Sequence, residues 1–124
     1  MITKRYQTIL QHLLLKFSTL EKLSILDIGD TDPFLPEYLK NSGAEVTAVD
    51  LDFSDSVKNR YLSRGIDFIA FNLNDLVQKK SLVIDKRFDV IIFLEVIEHL
   101  KESPVYVFEA FDRLLKQNGL LILG

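Results

Sequence analysis

Cysteine is absent from the 124 residues. Disulfides, thiolate metal sites and a cysteine nucleophile are therefore excluded, and nothing in the chain calls for an oxidising compartment. Histidine is limited to His12 and His99. Long apolar runs are missing as well. The N-terminal stretch carries Lys4 and Arg5 and then mixes polar with apolar residues up to Lys16, unlike a signal peptide or a membrane span. A cytoplasmic location and no membrane partner are the expectation. Excess positive charge is lacking too. A net charge of -3 provides no global field for nucleic acid, so nucleic acid is not an expected partner.

What the chain does have is apolar residues, 48% of the total, enough for one domain with a real core and too short a chain for two. Ile2, Tyr6, Ile9, Leu10, Leu13, Leu14 and Phe17 recur at three- and four-residue intervals. They predict an amphipathic helix within a segment 1–22 that packs on the rest. Ser24 to Gly29 and Glu45 to Asp50 then read as two short strands that each carry an acid, Asp27 and Asp50. Between them lies a helical segment with Pro36 in its first turn and Gly43 as a left-handed stop. This is a βαβ unit. Its parallel strands open a crevice at their carboxyl ends, where an acid at the tip of the second can accept hydrogen bonds from both hydroxyls of a ribose.

Further along, one helix is expected between Phe53 and Gly65, and a third strand over Asp67 to Phe71 leading to Asn72, Asn74 and Asp75. Phe88 to Leu94 is apolar on both faces, as a central strand covered by helices on each side must be. A helix from Pro104 to Lys116 follows, with Val107, Phe108, Phe111, Leu114 and Leu115 on its buried face. Asn118-Gly119 is read as a turn into a fifth strand over Leu120 to Leu123. Alternation of this kind implies an α/β class with an open, doubly wound parallel sheet.

Four blocks in order, ILDIG, EVTAVDLD, FDVIIFLEVIEHL and LLKQNGLLILG, make the chain from Leu23 to Gly124 resemble the class I S-adenosylmethionine-dependent methyltransferases, especially the ubiquinone-type O-methyltransferase group. The resemblance implies a Rossmann-like sheet of order 3-2-1-4-5 and S-adenosyl-L-methionine as cofactor. It also implies a small-molecule acceptor methylated on oxygen, nitrogen or carbon. By the same resemblance Asp27 and Gly29 lie under the methionine end of the cofactor. Asp50, followed by Leu51, holds the ribose; Asn72 and Leu73 flank the adenine; and Leu94 ends the fourth strand at the same site. The bland readings are a cap or turn former for Asp27 and ordinary loop residues for Asn72 and Asn74.

One departure is clear. Where the family shows three alternating glycines, this chain has Gly29-Asp30-Thr31-Asp32-Pro33, with bulk, a fixed φ and two extra acids. Family members also continue with two further strands and substrate-covering segments. The expectation is therefore a single domain over 1–124 that is incomplete at its C-terminal side, with Leu120 to Leu123 left near an open edge through which chains self-associate.

Glu95, Glu98 and His99 have the spacing i, i+3, i+4 and would share one face of a helical turn. Three readings stay open: a capped helix start, a divalent metal site, and His99 with Glu95 as a base or orienting pair toward an acceptor hydroxyl. The metal reading rests on a similarity to metal-dependent small-RNA 2'-O-methyltransferases, whose further histidine has no counterpart here. It is not favoured. At the level of function, a methyltransferase leads. A non-catalytic Rossmann-like module or half of a split enzyme is the alternative, and an NAD(P)-dependent oxidoreductase is disfavoured by the missing G-x-G-x-x-G spacing.

Overall fold

A computed structural model describes residues 4–29, 34–73, 84–94 and 105–124. The elements in chain order are α1 (Lys4–Phe17), β1 (Ser24–Ile28), α2 (Phe34–Asn41), β2 (Glu45–Asp50), α3 (Asp55–Arg64), β3 (Asp67–Ala70), β4 (Phe88–Phe93), α4 (Val105–Leu114) and β5 (Leu115–Leu123). The strands form one parallel sheet in the order β3-β2-β1-β4-β5.

Burial explains which segments became which elements. Every residue of β1 is buried and β4 is nearly so, because helices cover both faces of the sheet centre. Alternate residues divide between the two faces. Ile25, Val46, Val90 and Ile92 pack with Tyr6, Ile9 and Leu13 of α1 and with Leu35 and Leu39 of α2. Leu26, Ile28, Ile91 and Phe93 pack with Val107, Phe111 and Leu114 of α4. The Phe93 and Phe111 rings meet edge to face, 5.0 Å between centroids.

The ends of the helices follow local rules. Ser54 caps α3 by accepting a hydrogen bond from the Val57 amide, 3.2 Å, and Gly65 closes it at φ +71°. Gly43 ends the βαβ helix at φ +100°, and its carbonyl accepts from the Lys22 amide at 2.8 Å.

Four expectations need correction. Leu14 is 42% exposed, because it lies one helical step to the side of the buried line Tyr6, Ile9, Leu13. The fourth helix ends at Leu114 and β5 begins at Leu115, two residues before the expected helix end. The Asn118-Gly119 turn lies inside β5: Leu115 pairs with Phe88 and Leu120 with Val90, so three extra residues bulge between the two pairs. Asn118 takes φ +65° there, and a Cβ on Gly119 would come within 2.9 Å of the Lys116 carbonyl oxygen. The third strand stops at Ala70, although the Phe71 amide still donates to the Asp50 carbonyl at 2.8 Å.

Replacing Phe111 by Ala removes a fully buried ring from the α4 face. It is expected to cost about 3–5 kcal/mol in urea unfolding with an unchanged m-value.

Candidate functional site

Parallel pairing brings the carboxyl ends of the strands to one level. Ile28 is level with both Val49 and Phe93, Asp50 with Ala70, and Phe93 with Leu123. Two further bonds carry the ladder past the strand ends: the Gly29 amide donates to Val49 O at 2.7 Å and the Gly124 amide to Phe93 O at 3.2 Å. The sequence order turns about β1 and β4. The chain leaves β1 toward β2 and leaves β4 toward β5, so the crevice expected of a doubly wound sheet opens between these two strands.

Several of the residues expected from the sequence lie along this rim. Gly29 has φ +79°, a conformation that disfavours any side chain, at the point where the chain leaves β1. Asp50 ends β2, half buried, and its Oδ1 accepts from the Leu51 amide at 2.7 Å. An ionised carboxylate offers about four acceptor positions, so this bond leaves capacity for hydroxyl donors. Leu51 is 67% exposed beside it and Asn72 is exposed beyond β3. Leu73 and Leu94 are buried in the opposite faces of the sheet, so any contact they make at the rim is through the backbone.

Asp27 is different in kind. It is 2% exposed, one turn of the pleat below the rim, and its Oδ1 is buried with no hydrogen bond among the described residues, while the residue is engaged by other interactions. A carboxylate in that position suits a cationic group arriving at the rim. Taken together, a close-approach glycine, an acid at the tip of the neighbouring strand and a buried acid beneath fit the ribose and the ammonium of S-adenosylmethionine.

The loop residues Asp30 to Pro33, Asn74, Asp75 and the group Glu95, Glu98 and His99 lie outside the described residues. Among the described residues, no three His, Asp or Glu side chains cluster closely enough to hold a metal ion. His12 lines a groove with Leu15, Lys16, Leu120, Leu121 and Ile122, between α1 and β5. No helix among the described residues is long and apolar enough to cross a membrane.

One arrangement was not legible in the sequence. Glu37 of α2 is buried, and Arg60 of α3 grips it as a fork: Nε donates to Oε1 and Nη2 to Oε2, both at 2.7 Å. Arg64 Nε adds a contact at 3.4 Å. The carboxylate raises the Arg60 pKa above its ordinary value, chiefly through the hydrogen bond. A charged residue among the buried positions Leu35, Pro36 and Leu39 was the only signal, and it does not name its partner.

A family model described as a methyltransferase domain matches residues 2–124. The ubiquinone biosynthesis O-methyltransferase of Histophilus somni (strain 2336) is 28% identical over 121 residues, covering 94% of this chain and 50% of that protein. This chain thus spans about half the length of the curated relatives it matches. Among solved structures, an S-adenosylmethionine-dependent methyltransferase from Thiobacillus denitrificans in complex with S-adenosyl-L-homocysteine has a TM-score of 0.67 at 18% identity, covering 98% of this chain and 48% of that one. Coclaurine N-methyltransferase bound to N-methylheliamine and S-adenosylhomocysteine has a TM-score of 0.68 at 18% identity, covering 95% and 35%. At these identities the structural likeness is one of fold.

Gly29→Ala places a methyl group at a left-handed position. It is expected to lower stability by about 1–2 kcal/mol, read by thermal unfolding.

Proposed function

The chain belongs to the methyltransferase domain family, with its class I, Rossmann-like architecture, and on that premise we propose that its rim binds S-adenosylmethionine for methyl transfer to a small-molecule acceptor. The observation that carries this reading is the adjacency of Gly29 and Asp50. Paired strands lie about 4.8 Å apart, so a backbone that admits close approach sits next to a carboxylate of the right reach for a ribose. The O-methyltransferase activity of the relatives favours a hydroxyl as the acceptor.

When bound, S-adenosylmethionine supplies a methyl group made electrophilic by its sulfonium. The chain's own residues hold and align. Asp50 accepts hydrogen bonds from the ribose hydroxyls, and its bond from the Leu51 amide fixes the carboxylate in place. Exposed Leu51 gives the base an apolar contact, and the Asn72 amide oxygen accepts from the adenine amino group. Asp27 sets a negative charge beneath the ammonium end, in a site dry enough for that charge to count. His99, with Glu95, takes the proton from an acceptor hydroxyl. Displacement needs little more than alignment and that proton removal.

A second reading, one half of a split or self-associating assembly, is favoured by the edge of the sheet. Because Gly124 donates toward β4, Ile122 and Leu120 share its orientation, and the backbone groups of Leu121 and Leu123 point away from β4. An antiparallel pairing of two such edges about a dyad would satisfy them. Sedimentation at rising concentration checks this: a dimer is expected, and a strictly monomeric profile counts against it.

Calorimetric titration of S-adenosylhomocysteine tests the leading reading. Binding is expected, and Asp50→Ala should weaken it by about a hundredfold or more, since two charged hydrogen bonds are lost and each is worth about 1.5–3 kcal/mol. A folded chain that binds neither S-adenosylhomocysteine nor S-adenosylmethionine would leave only the module reading, and protection by NADH would point to an oxidoreductase.

A further inference from the structure

The Glu37–Arg60 fork joins the two crossover helices that start on the β1–β2 side of the crevice. Each crossover helix starts at the carboxyl edge of the sheet. α2 begins five residues after Gly29 and α3 five residues after Asp50. Glu37 is the fourth residue of α2 and Arg60 the sixth of α3, so at about 1.5 Å per residue the fork lies roughly 5–8 Å below the helix starts. The fork joins α2 directly to α3. Arg60 extends the link upward, because its guanidinium lies 5.4 Å from the ring centroid of Phe34, the first residue of α2. That ring is 60% exposed.

The far side of α3 is fixed independently. Tyr61 and Phe53 pack edge to face at 6.0 Å, and both rings meet Phe68 of β3. Phe53 belongs to the loop that follows Asp50, where its amide donates to Asp52 Oδ1 at 2.8 Å. α3 is thereby locked to β3 and to the loop beside the ribose acid. The fork passes that rigidity on to the first turn of α2. A bidentate arginine–carboxylate pair has the directional rigidity for this, which a lysine at the same place would lack.

We propose that Glu37 and Arg60 are positioning residues of the cofactor crevice, which set the spacing between the starts of α2 and α3 and so hold the segment that follows Asp50, residues 51–54, in place beside the ribose acid. This rests on the cofactor reading above for its ligand, but the spacing itself is a property of the ligand-free chain. Neither residue touches the cofactor.

The test compares Arg60→Lys and Glu37→Gln with Val107→Ala, a cavity variant on the opposite face of the sheet that lowers stability without reaching α2 or α3. Two quantities are read on each folded variant: hydrogen exchange of the Leu51 and Phe53 amides without ligand, and calorimetric affinity for S-adenosylhomocysteine. The fork variants are expected to exchange faster at both amides and to bind more weakly, each by about tenfold, while Val107→Ala changes neither beyond its loss of global stability. Glu37→Gln avoids stranding a buried charge, so it reports even if Arg60→Lys unfolds. Fork variants that match Val107→Ala in both quantities overturn the proposal. Should the unaltered chain bind no S-adenosylhomocysteine, the cofactor reading fails, and the exchange of the two amides alone decides whether the fork holds the rim.

Discussion

The parallel pairing of β1 with neighbours on both sides is the constraint on which the site depends. Residues 25–28 of β1 are held in register against 46–49 of β2 and 90–93 of β4 at once. Parallel strands present like ends at like levels, so fixing the centre fixes the whole rim. A slip of one residue would exchange the faces of Ile25 and Leu26 and turn a buried acid into the other core, so burial on two sides pins the register. The amino ends are tied by a second device. Asp89 Oδ2 accepts from the Ser24 amide at 2.9 Å and from Lys116 Nζ at 3.3 Å, which joins the starts of β1 and β4 to the beginning of β5.

The two deeply buried acids are treated in different ways, and the difference separates scaffold from site. Glu37 receives two directed hydrogen bonds from Arg60 and an ion-pair contact from Arg64, as a buried carboxylate needs if the fold is to tolerate it. Asp27 sits in the central strand just below the rim, where no arginine fork is provided by the described residues. An acid buried in a central strand is the kind of local exception to an otherwise apolar run that marks a candidate site.

The strands were legible because burial on two faces leaves an unmistakable run such as Phe88 to Phe93, and short connections with Gly43 and Gly65 leave few topologies, among which the family resemblance singled out the order. Asp50 was legible for the same reason: a charge at the end of an apolar run marks the place where the strand leaves the core. The junction of α4 with β5 was not. Leu114 and Leu115 continue an apolar helical pattern, and only the pairing of Leu115 with Phe88 decides that the second belongs to the sheet. The fork was hidden for a similar reason, since Glu37 and Arg60 are 23 residues apart and meet only after two crossovers have folded.

The division of labour within the fold follows from where these rigid parts lie. The ribose recognition proposed for Asp50 requires a carboxylate whose position does not vary, and the end of a strand held on both sides meets that need. Acceptor recognition requires shape that differs among relatives, and that is better supplied by segments free of the ladder. The described residues contain the first set almost entire: register, glycine, acid and the helices that brace them. Across the family one cofactor can therefore serve many acceptors. The described residues form a part of the architecture in which physical tolerance for variation is small, because register and close backbone approach leave little room for substitution.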